Sequence, residues 1–252
     1  MSHDFDVERL YAATTPAELT AEYDRVAETY DAALVEGHEW RMPEIMAGLA
    51  AWLLPRTARV LDGACGTGLV GESLSRFGFR DVHGLDLSPG MVAVARRKGV
   101  YAGLSVAALG PELPFPDGHF DAFVVCGAFT PQHAPPESLA GLLRATRSGG
   151  YAIFSLRSDV PPPGFAAEID RLSAAPSPQT LHRKDGSRCT SRSCSCSTME
   201  TAVIVARLSL NWMNRGLLNA SSVVCGLSRS TSVSKGVLKT EATVAEAIWN
   251  IQ

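Results

Sequence analysis

The feature that most constrains the fold is a repeated alternation of strand and helix patterns over the first two thirds of the chain. Short apolar segments are each followed by a segment with helical spacing, and the segment 120–126 is continuously apolar, as a buried parallel strand should be. Repeated strand–helix units imply right-handed crossovers between parallel strands. The pattern therefore predicts an α/β fold with a doubly wound, mostly parallel sheet, whose ligand lies at the carboxyl ends of the strands.

Spacing and turn residues locate the elements along the chain. The predicted strands are 59–62, 81–86, 104–108, 120–126 and 151–156. The predicted helices are 19–31, 43–54, 69–77, 89–98, 136–147 (closed by Gly149 and Gly150) and 165–172. Tyr23 and Tyr30 lie seven residues apart in the first helix and are predicted to share one face. That face either packs on the core or covers a ligand, and both alternatives stay open.

The composition changes near residue 175. Residues 1–175 hold 14 Lys and Arg against 22 Asp and Glu, whereas residues 176–252 hold 9 against 4, so the net charge turns from −8 to +5. The second part also contains the low-complexity run 191–197 and most of the cysteines. We therefore predict a folded domain over 1–175 and a divergent C-terminal segment of doubtful fold over 176–252.

Charge and hydropathy exclude several classes of function. The net charge of −3, with an acidic first part, disfavours nucleic acid as a partner. No apolar run is long enough for a membrane span, so no membrane partner is expected. The acidic, polar start of the chain is not a secretory signal, which predicts reduced cysteines and a cytoplasmic location, with a nuclear one as the alternative.

A glycine-rich turn follows the first predicted strand, in the sequence Val-Leu-Asp-Gly-Ala-Cys-Gly-Thr-Gly of residues 60–68. Glycines let the backbone approach a ligand, and the next helix offers free N–H groups. Gly66, Gly68 and Gly71 also satisfy the dinucleotide pattern, with Asp86 20 residues after Gly66, so NAD is an alternative ligand. Two observations argue against NAD: the carboxylate of Asp62 would face a diphosphate, and the turn is longer than in the dinucleotide pattern. A ligand that carries an ammonium and a sulfonium suits both acids.

Residues 19–157 resemble a class I S-adenosylmethionine (SAM)-dependent methyltransferase with a Rossmann-like fold. The resemblance rests on the segments 23–31 (YDRVAETYD), 40–43 (WRMP), 61–70 (LDGACGTGLV), 82–91 (VHGLDLSPGM), 113–121 (LPFPDGHFD) and 148–151 (SGGY). The extended match over 82–91 most resembles the subgroup that includes the methyltransferase-like protein of the Williams–Beuren chromosomal region. Folds of this class end in an antiparallel strand pair, which the tail sequence predicts to be missing or divergent.

The resemblance implies S-adenosyl-L-methionine as the cofactor and assigns roles to individual residues. Gly66 and Gly68 would line the methionine moiety, Asp86 would bind both ribose hydroxyls, and Leu87 and Met91 would pack on the adenine. Ala108 and Leu109 would lie at the adenine edge, and Cys126 and Gly127 would flank the methyl-transfer path. Tyr23 and Tyr30 would form a lid, and Arg41 would pair with the methionine carboxylate. The predicted cofactor-binding residues are Tyr23, Tyr30, Arg41, Asp62, Gly63, Ala64, Cys65, Gly66, Gly68, Asp86, Leu87, Met91, Ala108, Leu109, Cys126 and Gly127.

The predicted function is methyl transfer from SAM to a small-molecule or protein acceptor; the alternative is a SAM-binding scaffold without turnover. His133, after the fourth strand, is a candidate general base, whereas His119 precedes that strand in a turn and is expected to be structural. The spacing of Cys189, Cys194 and Cys196, with Cys225 far behind, does not predict a metal site. The sequence predicts no oligomeric state and no specific acceptor.

Overall fold

The fold is built on a seven-stranded sheet in the order β3-β2-β1-β4-β5-β6-β7. The structure, a computed structural model, describes residues 7–38, 40–157, 162–172, 201–207 and 223–228. The strands are β1 (Arg59–Gly63), β2 (Asp81–Asp86), β3 (Gly103–Val106), β4 (Phe120–Phe129), β5 (Thr146–Arg157), β6 (Thr201–Arg207) and β7 (Val223–Ser228). The helices are α1 (Val7–Ala12), α2 (Pro16–Val26), α3 (Tyr30–His38), α4 (Met42–Leu53), α5 (Leu69–Arg76), α6 (Pro89–Arg97), α7 (Ser138–Ala145) and α8 (Phe165–Leu172).

Strands β1 to β5 run parallel to one another, which confirms the predicted doubly wound α/β class. The first strand, β1, lies in the interior of the sheet. The chain then adds β2 and β3 on one side of β1, and β4 and β5 on the other side. The order of the strands therefore reverses between β1 and β4. A crevice opens at the carboxyl ends of the strands at such a reversal.

Two strands from the C-terminal segment extend the sheet beyond β5. Strand β6 pairs antiparallel with β5, and β7 pairs antiparallel with β6. The prediction that this strand pair is missing is wrong, because residues 202–206 form a short β-favouring run (Ala-Val-Ile-Val-Ala) that pairs along β5. That the pair is divergent, and that a domain over 1–175 is followed by a divergent segment of doubtful fold over 176–252, stay predictions. The cysteines at 189, 194 and 196 lie outside the described residues.

The predicted helix over 19–31 is interrupted. Helix α2 ends at Val26, whose carbonyl accepts hydrogen bonds from the backbone N–H and the hydroxyl of Thr29, and α3 begins at Tyr30. A capping box between Thr15 and Glu18 fixes the start of α2. A second boundary also differs from prediction, since α7 ends at Ala145 and β5 begins at once with Thr146.

Apolar side chains fill both faces of the sheet. Along β4, Phe123 and Val125 pack in the cluster with α7 and α8, while Ala122 and Val124 pack in the cluster with α4 and α5. This alternation is the period of two expected of a strand buried on both faces. Within the described ranges, no helix has the length and apolar character that crossing a bilayer requires.

Carboxylates of α2 and α3 connect the N-terminal helices to the rest of the fold. Asp24 accepts hydrogen bonds from the hydroxyl of Ser88 and from the N–H of Gly90 (2.8 Å), at the start of α6. Asp31 accepts a hydrogen bond from the hydroxyl of Thr67 and lies 2.7 Å from Nζ of Lys98. These contacts hold α2 and α3 against the carboxyl edge of the sheet.

Candidate functional site

A cavity of about 490 Å³ lies at the carboxyl ends of the parallel strands, where the strand order reverses. Residues that follow β1, β2 and β4 form one side of it, and residues of α1 and α2 cover the other. The structure brings together most of the predicted site residues in its lining: Tyr23, Tyr30, Ala64, Gly66, Asp86, Leu87, Met91, Ala108, Leu109, Cys126, Gly127 and His133. Five of the predicted residues are absent from this lining: Arg41, Asp62, Gly63, Cys65 and Gly68.

The turn after β1 has left-handed backbone at Ala64 (φ 56°), Gly66 (φ 53°) and Gly68 (φ 91°). A Cβ atom on Gly66 would meet no atom within 4 Å, so the backbone there faces open space. The N–H of Cys65 donates to the carbonyl of Leu85, which fixes the turn against β2. A ligand can therefore contact the backbone at Gly66 directly.

Ala64 is strained because a side chain in the left-handed region costs roughly 1 kcal/mol, a cost that glycine avoids. We expect Ala64→Gly to raise the free energy of unfolding by about 1 kcal/mol, measured by urea denaturation. Ala107→Gly is the matched control, because Ala107 packs on the same apolar cluster and lacks a positive φ. That control should destabilise the protein by about 0.5–1 kcal/mol. Equal effects of the two changes would contradict the argument.

Asp86 ends β2 at the wall of the cavity. Its Oδ2 accepts a hydrogen bond from the N–H of Gly66 (2.8 Å), and its Oδ1 accepts one from the N–H of Ser88 (2.9 Å). These hydrogen bonds and a backbone contact from Leu87 do not use every acceptor position of the carboxylate, which has about four. Burial is the main cause that raises the pKa of Asp86, and the charge of Asp24 raises it further. The carboxylate is thus held in place and can still accept from a ligand.

Asp62 lies behind the turn and is 1% exposed. Its Oδ2 accepts a hydrogen bond from the hydroxyl of Tyr101 (2.6 Å), and its Oδ1 has no hydrogen-bond partner. Burial raises the pKa of Asp62 to about 7, and the nearby charge of Asp86 also raises it. Asp62 is absent from the cavity wall, so its charge would act on a ligand only through the turn.

The raised pKa of Asp62 makes stability depend on pH. The folded state keeps a proton on Asp62 up to about pH 7, whereas the unfolded chain loses it near the ordinary value of 3.8. The free energy of unfolding therefore falls as the pH rises from about 4 to 7, by up to about 4 kcal/mol from this group. We expect the stability of Asp62→Asn to lack this dependence on pH. The difference between its midpoint of urea unfolding and that of the native chain should therefore shift in favour of the variant as the pH rises.

The control for this prediction is Asp81→Asn, at the opposite end of β2. The pKa of Asp81 is lowered by its hydrogen bonds to Arg59 and His83 despite some burial, so it is ionised in both states over most of this pH window. Its substitution should leave the slope between pH 4 and 7 unchanged. A native-like slope in Asp62→Asn would rule out Asp62 as the source.

The end of β4 bulges toward the cavity. Pairing with β5 shifts register between Val125 and Phe129, and Gly127 within the shift has a φ of 75°. The N–H of Gly127 donates to the hydroxyl of Ser155 (2.7 Å), while a Cβ at Gly127 would lie 3.3 Å from the ring of Trp40. The bulge turns Cys126 and Gly127 into the cavity wall, and the positive φ and the close Trp40 ring favour glycine at 127. Burial raises the pKa of the Cys126 thiol, which is therefore not a thiolate.

Tyr23 and Tyr30 lie on successive helices rather than on one face of one helix. Their rings nevertheless meet edge to face, with centroids 6.2 Å apart, because α3 folds back after the break at residues 27–29. Both line the cavity and pack against the cluster of Val26, Ala27 and Met91. The geometry is compatible with a lid and with core packing alike.

His133 lies in the loop after β4. Its Nδ1 is 2.9 Å from the hydroxyl of Thr130 and 3.1 Å from the carbonyl of Pro131, and its ring contacts that of Tyr23 edge to face. Burial lowers the pKa of His133, so the ring is neutral at pH 7. His119, by contrast, packs against Phe115 and Phe120, away from the residues that line the cavity.

Several predicted residues are placed elsewhere. The side chain of Arg41 is 74% exposed and pairs with Glu44 (2.8 Å) one turn further along α4, and its contact with the methionine carboxylate stays a prediction. Gly63 faces the core, where a Cβ would meet Val125 and other apolar side chains. Gly68 faces the ring of Tyr101. Cys65 lines a smaller cavity of about 40 Å³ that adjoins the main one.

The structure adds lining residues that the sequence analysis did not select: Thr14, Thr15, Trp40, Phe129, Thr130, Gln132 and Ser155. The sequence could have indicated Trp40 as a site residue, because it begins the segment 40–43 that carries the family resemblance. The sequence could not have indicated Ser155 or Tyr101, since nothing local in a strand or a helix-to-strand turn shows which group a hydroxyl will contact across the fold.

The residues present fit SAM. Asp86 can still accept hydrogen bonds from hydroxyls, Gly66 offers open backbone, and the orphaned oxygen of the buried Asp62 favours positive charge nearby. Leu87 and Met91 supply apolar contact for a base. A diphosphate would meet the carboxylate of Asp86 and no lysine or arginine among the described lining residues, which argues against NAD.

Comparisons with known proteins agree with this geometry. A family model described as a methyltransferase domain matches residues 61–154. Methyltransferase-like protein 27 of Homo sapiens is 37% identical over 164 residues, which are 61% of this chain and 65% of that protein. A demethylmenaquinone methyltransferase of Clavibacter sepedonicus is 30% identical over 174 residues, 66% of this chain and 69% of that protein.

Among solved structures, a TehB-like SAM-dependent methyltransferase of Corynebacterium glutamicum is 26% identical, with a TM-score of 0.44, over 54% of this chain and 73% of that one. This chain spans less than two thirds of the length of the human relative. The expected resemblance to methyltransferase-like proteins is confirmed by the match to that relative. Since the family model matches the β1–β5 region and the match to the Clavibacter protein spans more than two thirds of that protein, the chain belongs to the class I SAM-dependent methyltransferase family.

Proposed function

We propose that this chain transfers a methyl group from SAM to a small-molecule or protein acceptor. The observation that carries the proposal is Asp86, whose two oxygens are held by backbone donors at the cavity wall and can still accept from a ligand. The open backbone of Gly66 lies directly beside it. When bound, SAM supplies an electrophilic methyl group on a sulfonium.

In this proposal the chain binds and orients the reactants and excludes water. Asp86 binds both ribose hydroxyls, while Leu87 and Met91 contact the adenine, with Ala108 and Leu109 at its edge. The turn of residues 64–66 receives the methionine moiety, and Tyr23 and Tyr30 form the lid. Arg41 pairs with Glu44, so its contact with the methionine carboxylate requires that exposed pair to open.

A small-molecule acceptor is favoured over a protein side chain by how the cavity is covered. Residues of α1 and α2, among them Leu10 and Leu19, line it opposite the strand ends and are buried there. The relative from Clavibacter is named as a demethylmenaquinone methyltransferase.

We also propose a cytoplasmic location, with a nuclear one as the alternative, since Cys65 and Cys126 are free thiols.

The deciding experiment is calorimetric titration of the full chain with S-adenosylhomocysteine, with NADH titrated separately. We expect binding of the first and none of the second. The opposite result would replace the proposal with an oxidoreductase. Transfer of label from methyl-labelled SAM to any acceptor in a cell extract then separates an enzyme from a SAM-binding scaffold, because a scaffold binds S-adenosylhomocysteine and transfers nothing.

A further inference from the structure

The main cavity and the smaller one of about 40 Å³ share part of their walls beside the glycine turn. The residues that line both cavities, which we call the junction, are Tyr30, Trp40, Ala64, Gly66 and Cys126. From the junction the smaller cavity continues to the start of α5. A ligand that reaches from the main cavity into the smaller one therefore passes two aromatic residues.

Trp40 is held in place between α3 and α4. Its backbone N–H donates to the carbonyl of Leu34 (3.2 Å), and its partly buried side chain packs against the apolar cluster of α4 and α5. A Cβ atom on Gly127 would lie 3.3 Å from Cζ2 and 3.6 Å from Cη2 of the indole. The six-membered ring of Trp40 thus covers the bulge of β4 at the junction.

The junction contains no charged side chain. Among the described residues that line the two cavities, Asp86 is the one carboxylate and no lysine or arginine occurs. A cation that enters the junction loses hydration, which is unfavourable unless another group attracts its charge. The face of an aromatic ring provides that attraction without a counter-ion, and tryptophan provides the most.

The proposed function brings a cation to this place. Asp86 would bind the ribose and the turn of residues 64–66 would receive the methionine moiety, so the sulfonium would lie between them. Its methyl group would leave along the path that Cys126 and Gly127 flank. Trp40 borders both the turn and this path, because it lines the junction and covers Gly127.

We propose that Trp40 recognises the positive charge of SAM, because its ring attracts the sulfonium, which S-adenosylhomocysteine lacks. Methyl transfer removes that charge, so the attraction ends when the product has formed. This inference rests on the proposed function, because it assigns a further cofactor contact in the same site.

The test is calorimetric titration of the full chain with SAM and with S-adenosylhomocysteine. The measured quantity is the Kd of S-adenosylhomocysteine divided by the Kd of SAM. We expect Trp40→Leu to lower this ratio about tenfold and Trp40→Phe to lower it about threefold, since a benzene ring attracts a cation less than an indole does. Trp40→Phe decides the test if Trp40→Leu does not fold. An unchanged ratio in a variant that folds would overturn the inference.

Two controls separate the charge of the ring from its position and shape. Trp52→Leu is the same change on the surface of α4, where the side chain is 67% exposed, and should leave the ratio within about twofold. Incorporation of 5,7-difluorotryptophan at position 40 keeps the planar ring and weakens its attraction for a cation. It should lower the ratio about twofold or more, and an unchanged ratio would mean that Trp40 acts through shape alone, against the inference.

Asp62 is the other group that favours a cation here. It lies behind the turn, and its charge, second to burial, raises the pKa of the Cys126 thiol at the junction. The effect of Trp40→Leu on the ratio should therefore persist in the background of Asp62→Asn. Its disappearance there would assign the preference to Asp62 and overturn the inference. If the native chain binds neither ligand, the proposed function itself fails, which is a different result from a ratio that ignores Trp40.

Discussion

Asp86→Ala is expected to weaken binding of S-adenosylhomocysteine by at least about a hundredfold. Two charge-assisted hydrogen bonds to hydroxyls are worth roughly 1.5–3 kcal/mol each, and both would be lost. The same substitution also releases the N–H groups of Gly66 and Ser88 from the carboxylate, so the turn loses its attachment to β2. Calorimetric titration of the full chain measures the effect.

Two further variants show whether the loss of affinity comes from the missing contact with the ligand or from a change in the fold. Asp81→Ala removes a carboxylate from the opposite end of the same strand, where it pairs with Arg59, and should leave the affinity within about threefold. Asp86→Asn keeps the shape and one acceptor oxygen and should fall between the native chain and Asp86→Ala. A Kd for Asp86→Ala within a factor of ten of the native value would refute the role proposed for Asp86.

Tyr101→Phe is expected to cost about 2 kcal/mol of unfolding free energy at pH 8, since it removes the hydroxyl that donates a hydrogen bond to a buried carboxylate. The ring itself stays, and it fills the space that Gly68, Gly71 and Gly84 leave open. The hydrogen bond from Tyr101 lowers the pKa of Asp62, so its loss raises that pKa further. The penalty should therefore grow as the pH rises through 7 and be smaller at pH 5, where Asp62 is protonated.

The control is the same change in the background of Asp62→Asn. There no buried charge is left unpaired, and Tyr101→Phe should cost less than about 1 kcal/mol at either pH. Urea unfolding of the four proteins at pH 5 and pH 8 gives the coupling between the two residues directly. A cost that is the same in both backgrounds and at both pH values would show that the hydroxyl does not act through Asp62.

Much of the fold is predictable from local patterns. Strand β2 has the predicted bounds, and α5 and α6 differ from prediction by a single residue, because apolar runs, a proline at the helix start and glycines at the turns act over a few neighbours. The break between α2 and α3 is not predictable in the same way. It lies inside a helical pattern and brings together Tyr23 and Tyr30, whose spacing suits one continuous helix equally well.

The amino-acid sequence alone determined the parallel α/β class, the glycine turn and the position of Asp86 at the end of β2, because each depends on residues adjacent in the chain. Only the tertiary structure decided that Asp62 is buried under Tyr101, 39 residues away, and that Trp40 lies over Gly127. It also decided that Arg41 points to the surface. The physical reason is that a side chain's partner across the fold is set by how whole elements pack, and no local spacing encodes that distance.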